Sequence, residues 1–198
     1  TDQGTVQSKT VIIATGAAPR YLGLENEMNL VGHGVTSCAT CDGAFYRDVP
    51  VAVVGGGDSA CEEANFLTRF ASKVYLIHRR DELRASKIMA NRVLANEKVE
   101  PVWDSGITEY LTDEEGEVRA VNLENLKTGE KSELEVKCVF VAIGHVPNSQ
   151  FVGGLVDLDE NGYVLQNPHS TGTKTSGLYA AGDVADHIYR QAITASGQ

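Results

Sequence analysis

Two cysteines at close spacing are the first candidates for chemistry in this sequence. In the run Cys38-Ala39-Thr40-Cys41 the thiols can close a small disulfide ring. A thiol of lowered pKa at this spacing is a competent nucleophile for thiol–disulfide exchange. Asp42 follows directly, placed to move a proton to or from a departing thiolate. Structural zinc is one alternative use of the pair. It needs two further ligands, and the sequence has no second C-x-x-C and no H-x3-H. An inert buried pair is the other alternative, against which the Gly-, Ser- and Thr-rich surroundings from Gly32 to Gly43 argue. Cys61 and Cys138 stand singly and read as small core residues.

A second candidate is the run Gly55-Gly56-Gly57-Asp58-Ser59-Ala60, which fits G-x-G-x-x-A with an apolar strand before it and a helical pattern after it. Gly55 permits the tight turn, Gly57 lets backbone approach a pyrophosphate, and Ala60 lets helix and strand pack closely. Amides at the start of the helix favour an anion. An ordinary glycine-rich strand-to-helix turn is the plainer alternative. Sites for NAD usually place an acidic residue about 20 positions further on. Here that place holds His78, Arg79 and Arg80, with Arg84 nearby. A carboxylate would repel a 2′-phosphate, whereas guanidinium groups can grip it bidentately. This predicts NADPH rather than NADH, the alternative being a solvated basic cluster at a helix start.

A hydride carries two electrons together, so a nicotinamide site and a dithiol need an intermediary, and a flavin can serve. The pieces of a flavin site are sought in Leu178–Ala181, an apolar strand ending in Gly182-Asp183. An aspartate at the carboxyl end of a strand faces the ligand crevice and could accept hydrogen bonds from a ribityl chain. Arg190, Gln191 and Ala192 then open a helical pattern whose amide end could meet an isoalloxazine edge. Taken alone, Gly-Asp after a strand is a common feature.

The elements that must position these residues follow from hydrophobic period. Val11–Ala14, Val49–Val54 and Val74–Ile77 are short apolar strands, and Val139–Ile143 is another. Ala60, Ala64, Leu67 and Ala71 recur at helical spacing. A second helix is predicted over Arg84–Ala95, with Ile88, Met89 and Leu94 apolar. Pro101 marks the strand Val99–Trp103 as an edge or a bulge. Three strand-like runs, 107–111, 118–126 and 132–136, are separated by turn sequences and predict an antiparallel meander. The fold class is therefore α/β: a Rossmann-like dinucleotide-binding domain, parallel sheet plus meander, inserted into a partial second α/β domain, which the family resemblance given below implies is FAD-type. The expected divisions are 1–36 and 149–198 for the partial FAD domain and 37–148 for the NADPH-binding domain with its redox cysteines.

Composition narrows the function classes. With 42% hydrophobic and 22% charged residues in 198, the chain can bury a sizeable core. Seventeen Lys+Arg against 27 Asp+Glu give a formal charge of −10, which disfavours nucleic acid as a partner. Apolar runs are far shorter than the roughly 20 residues of a membrane helix, and the four cysteines form no secreted disulfide framework. The first residues, from Thr1, carry no export signal and read as the middle of a longer chain, so a cytoplasmic piece of a larger protein is expected.

Together the motifs resemble the low-molecular-weight, bacterial and plant type of thioredoxin reductase. The matching stretches are ATGA at 14–17, CATCDG at 38–43, VVGGGDSACEEA at 53–64, HRRDELRAS at 78–86, AIGHVPN at 142–148 and AAGDVADHIYRQAITA at 180–195. The resemblance implies that Asp183, Arg190, Gln191 and Ala192 touch FAD, with Thr15 and Gly16 near it. It implies that Gly55, Gly57, Asp58, Ser59 and Ala60 hold NADPH with His78, Arg79, Arg80 and Arg84, and that Ile143 and Gly144 close that site. Cys41 would face the flavin, Cys38 would attack the protein substrate, thioredoxin, and Asp42 would be the acid/base. It further implies a homodimer, and hinges near 33–37 and 145–149. The flavoprotein component of an alkyl hydroperoxide reductase shares this layout, and an NADPH-binding module without turnover is the third reading. The family's first glycine motif, which grips the ADP half of FAD, does not precede residue 50 here.

Overall fold

A computed structural model describes residues 4–198. They form two compact units, one from residues 4–19 with His145–Gln198, the other Arg20–Gly144. In chain order, β1 (Val11–Ile13) and β2 (Ala17–Pro19) belong to the first. The second holds β3 (Val35–Thr36), the one-turn helix α1 (Ala39–Asp42), β4 (Pro50–Val54), α2 (Asp58–Leu67) and β5 (Lys73–Ile77). It continues with α3 (Lys87–Leu94), β6 (Val99–Val102), β7 (Ser105–Thr112), β8 (Val118–Asn125), β9 (Lys131–Glu135) and β10 (Val139–Val141). Then β11 (His145–Pro147), β12 (Leu178–Ala180) and α4 (Ala192–Ser196) return to the first unit.

The unit Arg20–Gly144 is a three-layer α/β structure. Its parallel sheet runs β3-β10-β4-β5-β6. The sequence PVAVV of β4 and the run VYLI of β5 are continuously apolar because a parallel sheet is covered on both faces. On one face α2 lays Ala60, Cys61, Ala64 and Leu67 against Val51, Val53, Leu76 and Phe140. On the other, Ala52, Ile77, Val139 and Val141 pack with Ile107, Tyr110, Val121 and Leu123 of the meander β7-β8-β9. Pro101 lies in β6, the edge strand, where its missing N–H costs no ladder bond.

The structure differs from the sequence reading in three places. The chain passes between units at Pro19/Arg20 and Gly144/His145, not at 36/37 and 148/149. Residues 20–36 go with the central unit because Leu30 and Val35 are buried in its core and β3 pairs with β10. Glu27, fully buried, anchors the same segment: it accepts hydrogen bonds from the amides of Leu22, Gly23 and Leu24 and from the Tyr110 hydroxyl at 2.7 Å. Residues 33–37, expected as a hinge, lie inside this unit and not at its boundary, and a Cβ on Gly34 would lie 2.5 Å from that of Val118. Next, α3 begins at Lys87, with Ser86 as its cap, and turns Val93 and Met89 rather than Ile88 and Leu94 to the core. Residues 79–86 are held as a loop by bonds described below.

In the first unit β1 pairs with β12 in parallel and β2 with β11 antiparallel. Its core gathers Ile13, Val152, Val156, Val164, Ala180 and Val184. Among the described residues no helix is long and apolar enough to cross a membrane.

Candidate functional site

Cys38 and Cys41 are joined as a disulfide, with Cα atoms 5.3 Å apart. Cys38 caps α1, its Sγ accepting the Cys41 amide at 3.2 Å, and Ala39 roots the turn in the core. Cys38 is half-buried and Cys41 exposed. A disulfide at this position removes both sulfurs from thiolate metal ligation. Asp42 closes the turn through its amide, bonded to Cys38 O at 3.1 Å.

Thr36 was not among the residues singled out from sequence. Buried in β3, its Oγ1 donates to Asp42 Oδ2 at 2.5 Å and accepts the Cys38 amide at 3.2 Å. One hydroxyl thus fixes the carboxylate and the first cysteine in a single frame. Nothing in a polar run marks Thr36; its pairing with Phe140 across β3 and β10 does. Cys138 shares a core cluster with Ala39 of α1 and with Tyr46, and burial pushes its thiol up to about 12. Burial likewise pushes Cys61 up to about 11, so both single cysteines stay as inert thiols.

The glycine run lies where β4 ends and α2 begins. A Cβ on Gly55 would lie 2.5 Å from Ala142 O and 2.6 Å from the Ala60 methyl, so turn and helix pack without a gap. Gly57 caps α2 and has open space where a Cβ would stand. The first amides of α2, on Asp58, Ser59 and Ala60, have no partner within the helix and carry its positive end. Asp58 Oδ1 accepts the Ser86 amide at 2.8 Å, and Gly56 O accepts that of Arg84 at 2.7 Å. These bonds draw the arginine loop onto the glycine loop. His78 is buried beside them, and desolvation, then the Arg84 charge, lowers its pKa and keeps it neutral. Its Nε2 has no partner among the described residues. Arg79, Arg80 and Arg84 are exposed and, among the described residues, in no ion pair. Ile143 and Gly144 follow β10, the neighbour of β4. An open backbone cradle, a helix start and three free guanidinium groups fit a dinucleotide with an extra phosphate.

In the other unit Thr15 Oγ1 donates to Asn148 O at 2.6 Å, and the Asn148 amide donates to Gly16 O at 2.9 Å. The two predicted residues are thereby tied to the chain following β11. Asp183 lies in the 3-10 turn Gly182–Val184 just after β12, and Arg190 donates to the Tyr163 hydroxyl at 3.2 Å. Gln191 caps α4, and Ala192 opens it at the surface. Asp183 Oδ1, Arg190 Nε and His145 Nδ1 are all buried without a partner among the described residues. Burial and then the Arg190 charge lower the His145 pKa, so these groups share one neighbourhood. Buried polar atoms normally find partners, and three orphans in one unit fit a polar ligand such as FAD. His145 was missed because a histidine after a strand carries no sequence signal.

Residues 1–198 match the family model described as pyridine nucleotide-disulphide oxidoreductase. The chain belongs to this family. It is 55% identical over 193 residues to the thioredoxin reductase of Mycolicibacterium smegmatis, covering 98% of this chain and 61% of that protein. Against thioredoxin reductase 2 of Arabidopsis thaliana it is 49% identical over 204 residues, covering 100% of this chain and 53% of the other. The crystal structure of thioredoxin reductase from Streptococcus pyogenes MGAS5005 superposes with a TM-score of 0.87 at 45% identity, over 95% of this chain and 61% of that one. The chain thus spans about three fifths of the length of such relatives.

Proposed function

We propose that the protein of which these residues are part reduces oxidised thioredoxin at the expense of NADPH, through FAD and the Cys38–Cys41 disulfide. The observation that carries the reading is that disulfide, capping α1 beside Asp42, in a chain whose relatives are named thioredoxin reductases. Those names favour thioredoxin over a peroxidase as acceptor.

Arg79, Arg80 and Arg84 would take the 2′-phosphate of NADPH, and Gly55, Gly57 and the amides of Asp58, Ser59 and Ala60 its pyrophosphate. His78, Ile143 and Gly144 would border the rest. Asp183, Arg190, Gln191 and Ala192, with Thr15 and Gly16, would hold FAD. FAD, when bound, takes up a hydride from a nicotinamide and can release the electron pair to a disulfide. Reduction of the disulfide takes two electrons and two protons and leaves two thiols. Asp42, oriented by Thr36, would pass a proton to and from the departing sulfur. The Cys38 thiolate would then attack the thioredoxin disulfide. Cys41 would resolve the mixed disulfide, releasing dithiol thioredoxin and restoring Cys38–Cys41. We place this activity in a cytoplasmic homodimer.

The test is NADPH-dependent reduction of thioredoxin by the full-length protein, with Cys38→Ser and Cys41→Ser each abolishing it. Undiminished turnover in both variants overturns the proposal, as does turnover confined to a peroxidase partner.

A further inference from the structure

Lys127 lies in the β8–β9 turn, far in sequence from the glycine and arginine motifs. Its Nζ donates to Asp81 Oδ2 at 2.7 Å and to Asp104 Oδ1 at 3.0 Å. Both residues adjoin Arg80 along the backbone. Asp81 is its neighbour in sequence, and the Asp104 amide donates to Arg80 O at 3.1 Å. The turn is held in place independently of this lysine side chain. Asn125 Oδ1 accepts the amides of Lys127 and Thr128, both at 3.0 Å, and Leu126 N donates to Asp104 O at 2.6 Å.

We propose that Lys127 is a specificity-determining residue for a phosphorylated dinucleotide: by engaging Asp81 and Asp104 it keeps both carboxylates off the neighbouring arginines. The inference rests on the reading that the arginine loop takes a 2′-phosphate. Two unengaged carboxylates would act in two ways. They would offer Arg79 and Arg80 ready partners, and they would repel a dianion arriving at the same place. The fixed charges around this loop are Arg79, Arg80, Asp81, Glu82 and Arg84 on the loop itself, Asp58 at the start of α2, Asp104 from the chain after β6, and Lys127. Of the four acidic groups, Lys127 holds two, and Asp58 is engaged by the Ser86 amide. The pairing lowers the Asp81 pKa and raises that of Lys127. The meander, which covers one face of the sheet, thereby also sets the charge balance of the arginine loop.

Lys127 and Asp81 are more than half exposed, and exposed pairs contribute little to folding. A purely structural role therefore predicts no change in ligand discrimination. The experiment is calorimetric titration of the full-length protein with 2′,5′-ADP and with 5′-ADP. The Lys127→Met variant is expected to bind 2′,5′-ADP about five-fold more weakly, with 5′-ADP unchanged and the difference shrinking at high salt. Lys127→Arg is expected to retain native discrimination, and Asp81→Asn added to Lys127→Met to recover most of the loss. Unchanged discrimination in Lys127→Met overturns the proposal while leaving the arginine assignment standing. Equal affinity of the native protein for the two nucleotides overturns both. An equal loss for both nucleotides shows a structural effect and also overturns it.

Discussion

Replacing Gly56 with alanine tests the geometry of the nucleotide loop at the position where the motif G-x-G-x-x-A permits any residue. A Cβ there would lie 2.2, 2.3 and 2.7 Å from the Cε1, Nδ1 and Nε2 atoms of the His78 ring. Ordinary carbon contacts lie at roughly 3.5–4.0 Å, so the ring must retreat by more than an ångström. It has little room to do so: His78 is only 4% exposed, its amide is bonded to Val102 O at 2.9 Å, and the Trp103 ring stands edge-on with centroids 6.4 Å apart. Forcing an extra methyl into a packed site costs about 1–3 kcal/mol, and the confinement of the ring places this case toward the upper end. With a urea m-value of about 2 kcal/mol/M, the unfolding midpoint should fall by about 1 M. Because Gly56 O also accepts the Arg84 amide, NADP⁺ affinity should fall at least about ten-fold with it. A double-mutant cycle isolates the cause. In a His78→Ala background the methyl enters the vacated space, and Gly56→Ala should cost little, giving a coupling of about 1–3 kcal/mol. An equal cost in both backgrounds, or an unshifted midpoint in the single variant, would refute the reasoning.

Two further predictions concern buried carboxylates. Tyr110→Phe removes one hydrogen bond to Glu27 and should cost about 1.5–3 kcal/mol in urea unfolding. Glu27→Leu strands three amides and the Tyr110 hydroxyl and should cost about 3–5 kcal/mol; wild-type midpoints in either variant would show that residues 20–36 are not anchored there. Burial, then the Glu62 charge, pushes the Glu63 carboxyl up to about 7, and its Oε2 is buried without a partner among the described residues. The native state thus holds this proton more tightly than the unfolded chain, so stability is greatest below the unfolded pKa and is lost as pH rises through the folded one. Glu63→Gln should therefore gain about 2 kcal/mol relative to the native protein between about pH 5 and pH 8, and parallel pH–stability curves for the two would contradict this.

Much of the central unit is legible from one dimension. The strand, glycine run and helix from Pro50 to Leu67 follow from local period and composition, and so does the burial of Ala60, Cys61, Ala64 and Leu67. The meander and the edge position of Pro101 follow in the same way. These features depend on near neighbours, because a strand period of two and a helix period of 3.6 are written within a few residues. What depends on remote partners is not written there. Glu27 reads as a surface residue until Tyr110, 83 positions away, supplies its hydrogen bond. Position 56 reads as free until the His78 ring fills the space beside it. Thr36 acquires its place beside Asp42, and Lys127 its place beside Asp81, only when distant strands and turns come together. Sequence by itself determined which local elements form and which residues could do chemistry. Tertiary structure alone decided which polar groups meet, because a buried donor or acceptor must be satisfied by whatever group the fold brings within about 3 Å.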